Sequence, residues 1–290
     1  VPLNLALGLV LALGAGLGAV VIAEMLDAGL ATAEDVEQRL GVSYLGAIPL
    51  LSSVAEGRAS APIDYVVEKP LSSFAEAFRN LRASVMYSRL GESVKVVAVT
   101  SALPGEGKTT TSVCLARSAA QQGHRVLLVD CDLRRRSVNR LMGKEPAKGL
   151  IEVLAGDAPL EEVVEVDGVT GVHILPLAKS SLTPKDVFGS AALDRLLDNL
   201  RGAYDLVILD TAPILPVADT RVLAPKADAV VFLAKWRKTP EHAIQNAFRQ
   251  LIGTGAHVGG VALTQVDMKL QQKYGYGDPG YYYAEYKKYY

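Results

Sequence analysis

The chain has 290 residues, half of them hydrophobic, with 30 basic and 31 acidic side chains and a formal net charge of -1. That length suits one large domain, or one domain with an appendage. Near-neutral charge excludes a protein whose main work is gripping nucleic acid, and two cysteines, Cys114 and Cys131, exclude a disulfide framework. A reducing compartment is the simple reading.

In chain order, the first feature is apolar. Residues 5–23 read LALGLVLALGAGLGAVVIA, 19 residues without a charge, and they explain a mean hydropathy of +0.21. As a helix this run is about 28 Å long, enough to cross a hydrocarbon core of roughly 30 Å. A transmembrane helix is therefore expected over residues 1–23, with Gly14 and Gly18 as a small-xxx-small packing pair. The chain opens on Val1-Pro2, without the basic start of a signal peptide, as a fragment with sequence ahead of it would.

A juxtamembrane linker is expected over 24–70, interrupted by a short helix at 32–40 that Gly41 stops. Ser73-Phe74-Ala75-Glu76 reads as a capping box opening a helix that runs to about Leu90. Apolar runs follow at 95–100, 126–130, 172–177, 206–210, 229–234 and 259–263, separated by helical patterns. Continuous apolar runs are what strands covered on both faces need. The prediction is an α/β fold over 71–273: a P-loop NTPase-type, mostly parallel sheet with helices on both faces.

The run 95–100 leads into Ser101-Ala102-Leu103-Pro104-Gly105-Glu106-Gly107-Lys108-Thr109-Thr110 and then a helical stretch. Strand, glycine loop, Lys-Thr and helix form the context of a phosphate-binding loop. Gly105 and Gly107 let backbone N–H groups face phosphates, Lys108 reaches the β and γ oxygens, and the Thr109 hydroxyl binds magnesium. Pro104, Glu106 and Thr110 complete the predicted nucleotide-binding loop, whose first position is Ala102 rather than glycine. Asp130 and Asp132 end one predicted strand and Asp210 another, so three carboxylates converge on the loop. Magnesium takes one or two carboxylates plus waters, which leaves one aspartate for other work.

The last 17 residues hold eight of the twelve tyrosines: Tyr274, Tyr276, Tyr281, Tyr282, Tyr283, Tyr286, Tyr289 and Tyr290. Gly275, Gly277, Pro279 and Gly280 break regular structure, so a flexible tail is expected over 274–290. Two readings stand: a sticky low-complexity end, or a cluster of phosphoacceptor hydroxyls. A phenol has a pKa near 10 and can yield its proton late in phosphoryl transfer to a carboxylate, Asp130 or Asp132.

Together the Pro104–Thr109 loop, Asp130-x-Asp132-Leu133-Arg134, Ile208-Leu209-Asp210-Thr211-Ala212-Pro213, the ExxRxxR segment Glu76/Arg79/Arg82 and the tyrosine tail are distinctive. The chain resembles the cytoplasmic kinase half of the bacterial tyrosine kinases (BY-kinases) of the Wzc-like polysaccharide co-polymerase type. The resemblance implies ATP-dependent autophosphorylation of the tail on a neighbouring subunit, in an octamer-like homo-oligomeric ring at the bacterial inner membrane with the kinase domain cytoplasmic. It implies control of capsule or exopolysaccharide polymerisation and export, and a tyrosine phosphatase as partner. By the same resemblance Lys108 holds phosphates, Thr109, Asp132 and Asp210 serve magnesium, and Asp130 is the base. Leu103, where partitioning ATPases carry an extra lysine, favours the kinase branch. Thr264 stands where the family leads one to expect an adenine-reading asparagine.

Spacing alone makes Glu76, Arg79 and Arg82 a solvated helix face, with Phe74, Phe78, Leu81 and Val85 as its apolar stripe; only the resemblance makes it a subunit contact. Arg134, Arg135 and Arg136 read as solvated surface or as groups near phosphates. Histidines 124, 173, 242 and 257 show no metal spacing. The tail carries Asp278, Glu285, Lys287 and Lys288, so its own charge is zero; eight phosphotyrosines add roughly -12 to -16, and the ring is expected to loosen. The rival readings are a membrane-anchored P-loop ATPase and an assembly scaffold for polysaccharide export, neither of which phosphorylates tyrosine.

Overall fold

The structure is a computed structural model that describes residues 29–55, 57, 59–89, 93–179 and 187–274, together with 8, 12–16 and 18. Eight strands form one sheet: β1 (Tyr44–Pro49), β2 (Val96–Ser101), β3 (Val126–Asp130), β4 (Glu165–Val166), β5 (His173–Leu175), β6 (Leu206–Asp210), β7 (Ala229–Lys235) and β8 (Val258–Val266). Their order is β1-β8-β7-β2-β6-β3-β5-β4, and every pairing is parallel except β4 with β5.

Every residue of β2, β3 and β6 is buried, and the pleat sends alternate side chains to opposite layers. Val96, Ala98, Leu127, Val129, Val207 and Leu209 face one core, closed by the helices Ala191–Ala203 and Glu241–Ile252 through Leu193, Leu197, Ile244 and Leu251. Val97, Val99, Leu128 and Ile208 face the other, closed by the helices Ser73–Met86 and Lys108–Gln121 through Phe74, Phe78, Leu81, Val113 and Leu115. The apolar stripe expected on Ser73–Met86 is thus its buried face.

Two expected boundaries are corrected. Residues 44–68 are not a linker: β1 pairs with β8 along one sheet edge, and the helix Pro62–Glu68 packs against Lys108–Gln121. Gly46 and Pro49 hid this strand in the sequence; an edge strand with one neighbour tolerates both. The helix Ser73–Met86 is capped by Ser72, whose hydroxyl accepts from Ala75 N, so Ser73-x-x-Glu76 is not its capping box, and Tyr87 closes it before Leu90. The short helix Ala33–Leu40 has Thr32 as its cap and Gly41 in the left-handed region behind it, as expected.

Among the described residues no helix is long and apolar enough to cross a membrane. The apolar run 5–23 lies largely outside those residues, and the tyrosines from Tyr276 onward lie wholly outside them. Tyr274, expected in the tail, is the last residue of the helix Met268–Tyr274.

Candidate active site

The loops that leave the carboxyl ends of β2, β3 and β6 meet at one place, as the crossovers of a parallel sheet require. β2 runs into the loop 102–107, and the helix Lys108–Gln121 starts on Gly107. Gly105 and Gly107 have φ of 83° and 87°, backbone that an L side chain adopts only with strain. The loop therefore meets the positive end of the helix dipole, a geometry that favours an anion.

Lys108 is 9% exposed, and its Nζ donates to Ser101 Oγ at 3.3 Å. Asp210, 1% exposed, accepts from Thr109 Oγ1 at 2.7 Å on one oxygen and from Ser112 Oγ at 3.0 Å on the other. Burial pushes Asp210 up to about 6, against the bond from Thr109 and the charge of Lys108. Burial also lowers Lys108, helped by the charge of Arg135 and resisted by Asp210, Asp132 and Glu106. A buried cation and carboxylates held in such tension are what a phosphate ligand with its cation would relieve.

The two aspartates after β3 differ sharply. Asp130 has no exposed surface, and its two oxygens accept from Asp132 N and Val138 N, both at 3.1 Å. Burial, then the charge of Asp210, drives its pKa well up. Asp130 therefore holds the turn 131–138 in shape. Asp132 accepts from Arg134 N and Arg135 N through Oδ1 alone, and Oδ2 has no partner among the described residues. Of the pair, Asp132 is the one with a free oxygen.

Glu106, predicted at the nucleotide, turns inward instead. It is buried; its Oε2 accepts from Leu103 N at 2.7 Å, and its Oε1 accepts from the Thr239 hydroxyl and from Lys235 N. Glu106 thus ties the loop to the turn that follows β7. Its carbonyl accepts from Thr264 Oγ1 at 2.8 Å, and Gly105 O accepts from Gln265 Nε2 at 3.0 Å. Thr264, noted as a departure from the expected asparagine, and Gln265, which sequence reasoning missed, both brace the loop. The signal for Gln265 is its backbone: Arg136, Arg237 and Gln265 are the non-glycine residues at positive φ among those described, and Gln265 is the next-to-last residue of β8 while Arg237 follows β7 and Arg136 lies in the turn after β3.

Farther out, Glu76 pairs with Arg79, and Arg79 Nη1 donates to Pro70 O at 2.6 Å. Arg82 leaves that face and donates to Gln122 and to His124 Nε2 at the end of the loop's helix. Two of the four histidines have structural partners: His124 with Arg82, and His173, whose Nδ1 is 2.8 Å from Tyr204 OH. Among the described residues no three His, Cys, Asp or Glu side chains close around one metal position.

The AAA domain family matches residues 94–251. Tyrosine-protein kinase YwqD of Bacillus subtilis is 32% identical over 208 residues, covering 72% of this chain and 88% of that one. The chain belongs to the bacterial tyrosine kinases. The kinase domain of Escherichia coli tyrosine kinase ETK superposes with a TM-score of 0.74 at 28% identity, over 82% of this chain and 95% of that domain. Succinoglycan biosynthesis transport protein ExoP of Rhizobium meliloti is 34% identical over 78% of this kinase chain. Putative tyrosine-protein kinase EpsB of Ralstonia solanacearum is 30% identical over 95% of it. The chain spans about a third of the length of these last two relatives, 29% and 37%.

Proposed function

We propose that the chain is an ATP-dependent protein tyrosine autokinase that phosphorylates the tyrosines at 274–290 of a neighbouring copy. What carries the reading is one meeting of groups: Lys108, Thr109, Asp132 and Asp210 at the carboxyl edge of the sheet, in a chain with eight tyrosines in its last 17 residues. The amides of 105–109 bind and orient the ATP phosphates, and Lys108 balances charge on the group in transfer. Thr109 and Asp210 hold magnesium, which supplies further charge neutralisation when bound. The incoming phenol oxygen forms a bond to the γ-phosphorus as the bond to the ADP oxygen breaks, and the phenol proton passes to Asp132 Oδ2. That assignment moves the base from Asp130, whose oxygens are filled, to Asp132, expected earlier to serve magnesium.

The same reading carries a proposed setting. The apolar run 5–23 anchors the chain in the bacterial inner membrane with the kinase domain on the cytoplasmic side. Copies assemble as a ring through Glu76, Arg79 and Arg82, the ring governs exopolysaccharide polymerisation and export, and a tyrosine phosphatase resets the tail. The similarity to succinoglycan biosynthesis transport protein ExoP supports the polysaccharide context. The test is incubation of the chain with ATP and magnesium followed by phosphotyrosine mapping. Signal on residues 274–290 that vanishes with Lys108→Met is expected; ATP hydrolysis with no phosphotyrosine would overturn the reading in favour of a plain P-loop ATPase.

A further inference from the structure

Four arginines lie in the turn that leaves the carboxyl end of β3 and in the helix behind it: Arg134, Arg135, Arg136 and Arg140. Three of them are exposed and Arg136 is half-buried. Among the described residues none of the four guanidinium groups is in an ion pair; the one bond they make is from Arg140 Nη2 to Arg135 O, at 3.1 Å. Of the carboxylate oxygens beside them, only Asp132 Oδ2 is not taken by a backbone amide among the described residues. Asp130 faces the amides of Asp132 and Val138, and the Oδ1 of Asp132 faces Arg134 N and Arg135 N.

The backbone is built to keep this arrangement. Arg135 N and Arg136 N both donate to Asp132 O, at 3.1 and 3.0 Å, which makes a tight turn of three successive arginines. Arg136 then takes φ 46° and ψ 51° as the cap of the helix Ser137–Met142, a left-handed conformation costing an arginine about 1–2 kcal/mol that glycine would adopt freely. Arg140, one helical turn on, bonds back to the carbonyl of Arg135 and fixes the cluster. Arg135 reaches toward the phosphate loop, since its charge acts on Lys108.

Clustered guanidiniums with free donor forks recognise phosphate monoesters and carboxylates in bidentate fashion. The loop amides and Lys108 already provide for the nucleotide, so these arginines are left for a second phosphate. We propose that Arg134, Arg135, Arg136 and Arg140 form a docking site for phosphotyrosine in the C-terminal segment of a second copy, holding a partly phosphorylated tail at the active site. This rests on the autokinase reading above. Charge selects the occupant: the unmodified segment is neutral and feels no net pull, whereas each phosphotyrosine adds about -1.5 to -2. Four guanidiniums balance about two such groups. The first phosphates therefore retain the tail, which carries further tyrosines directly beside them in the sequence, such as Tyr281, Tyr282 and Tyr283. Further phosphates exceed what the cluster balances and face Asp132 and Asp210, so a heavily modified tail leaves.

The test uses the Lys108→Met chain, which keeps its own tail unmodified, and synthetic peptides of residues 274–290 with no phosphate or with phosphotyrosine at 282 and 286. Fluorescence anisotropy is expected to show the doubly phosphorylated peptide binding at least tenfold more tightly than the plain one, and more weakly as salt rises. Arg135→Gln with Arg140→Gln should remove at least tenfold of that affinity, and lysine at both positions should restore part of it. In the chain with Lys108 intact, the same double glutamine change should leave ADP affinity within twofold. Equal binding of the two peptides, phosphopeptide binding indifferent to the arginines, or a loss of ADP affinity instead would each overturn the proposal. Because the phosphates are supplied synthetically, failure here is separate from failure of autophosphorylation, which shows as absent phosphotyrosine in the ATP incubation.

Discussion

The helix Lys108–Gln121 carries two buried cations with opposite fates. Nine residues and about 13 Å beyond Lys108, Arg117 is 4% exposed and fully engaged. Its Nε and Nη2 donate to Asp167 at 3.0 and 3.1 Å, and its Nη1 donates to Ile63 O at 2.6 Å and Asp64 Oδ1 at 3.0 Å. That cluster joins the helix to the Pro62–Glu68 helix and to the turn between β4 and β5. Lys108 has one long bond to a hydroxyl, with three carboxylates acting on it and its pKa lowered by burial. The carboxyls differ in the same way. Burial pushes Asp210 up, whereas for Asp167 burial is outweighed by bonds from Thr170 and Arg117, so its pKa is lowered. A satisfied charge cluster belongs to stability and an unsatisfied one to ligand binding.

Substitutions at the two ends of the helix should break that contrast most visibly. Lys108→Met should cut autophosphorylation by on the order of 1000-fold, the scale of losing a key charge-stabilising group, while the melting temperature of the ligand-free chain holds or rises. Arg117→Met should do the reverse: about 3–5 kcal/mol of stability lost in urea denaturation, because Asp167 is left buried and unpaired, with ADP affinity of the folded fraction little changed.

Acid sharpens the comparison further. The pKa of Asp167 is lower folded than unfolded, so its contribution is present above about pH 4 and is lost as pH falls through the folded value. The stability of the chain should decline over that range, and Asp167→Asn should flatten the slope; an unchanged acid slope would count against the pairing. Smaller is Glu106→Gln, which alters the tie between the loop and Thr239 without touching a phosphate. The KM for ATP should rise about tenfold, with stability reduced by about 1 kcal/mol. Smallest is Thr264→Val, which removes one hydroxyl from Glu106 O and should cost about 1 kcal/mol by denaturant titration.

Legibility followed the same division. Both β3 and β6 begin and end where their apolar runs do, and the glycine loop lies between strand and helix as its pattern requires. β1 was hidden because an edge strand needs no continuous apolar run. Arg82 read as a solvated residue because its partners, Gln122 and His124, lie 40 and 42 residues away in the chain.

The sequence by itself determined the alternation of strands and helices around the glycine loop of residues 104–109 and the convergence of Asp130, Asp132 and Asp210, because each follows from local periodicity and from where parallel strands end. Only the tertiary structure decided that Asp130 caps a turn while Asp132 keeps an open oxygen, that Glu106 faces inward, and that Arg134, Arg135, Arg136 and Arg140 have no ion pair among the described residues. Those choices depend on which backbone amide or distant side chain happens to face a given polar group, and a buried donor or acceptor takes the partner that packing supplies.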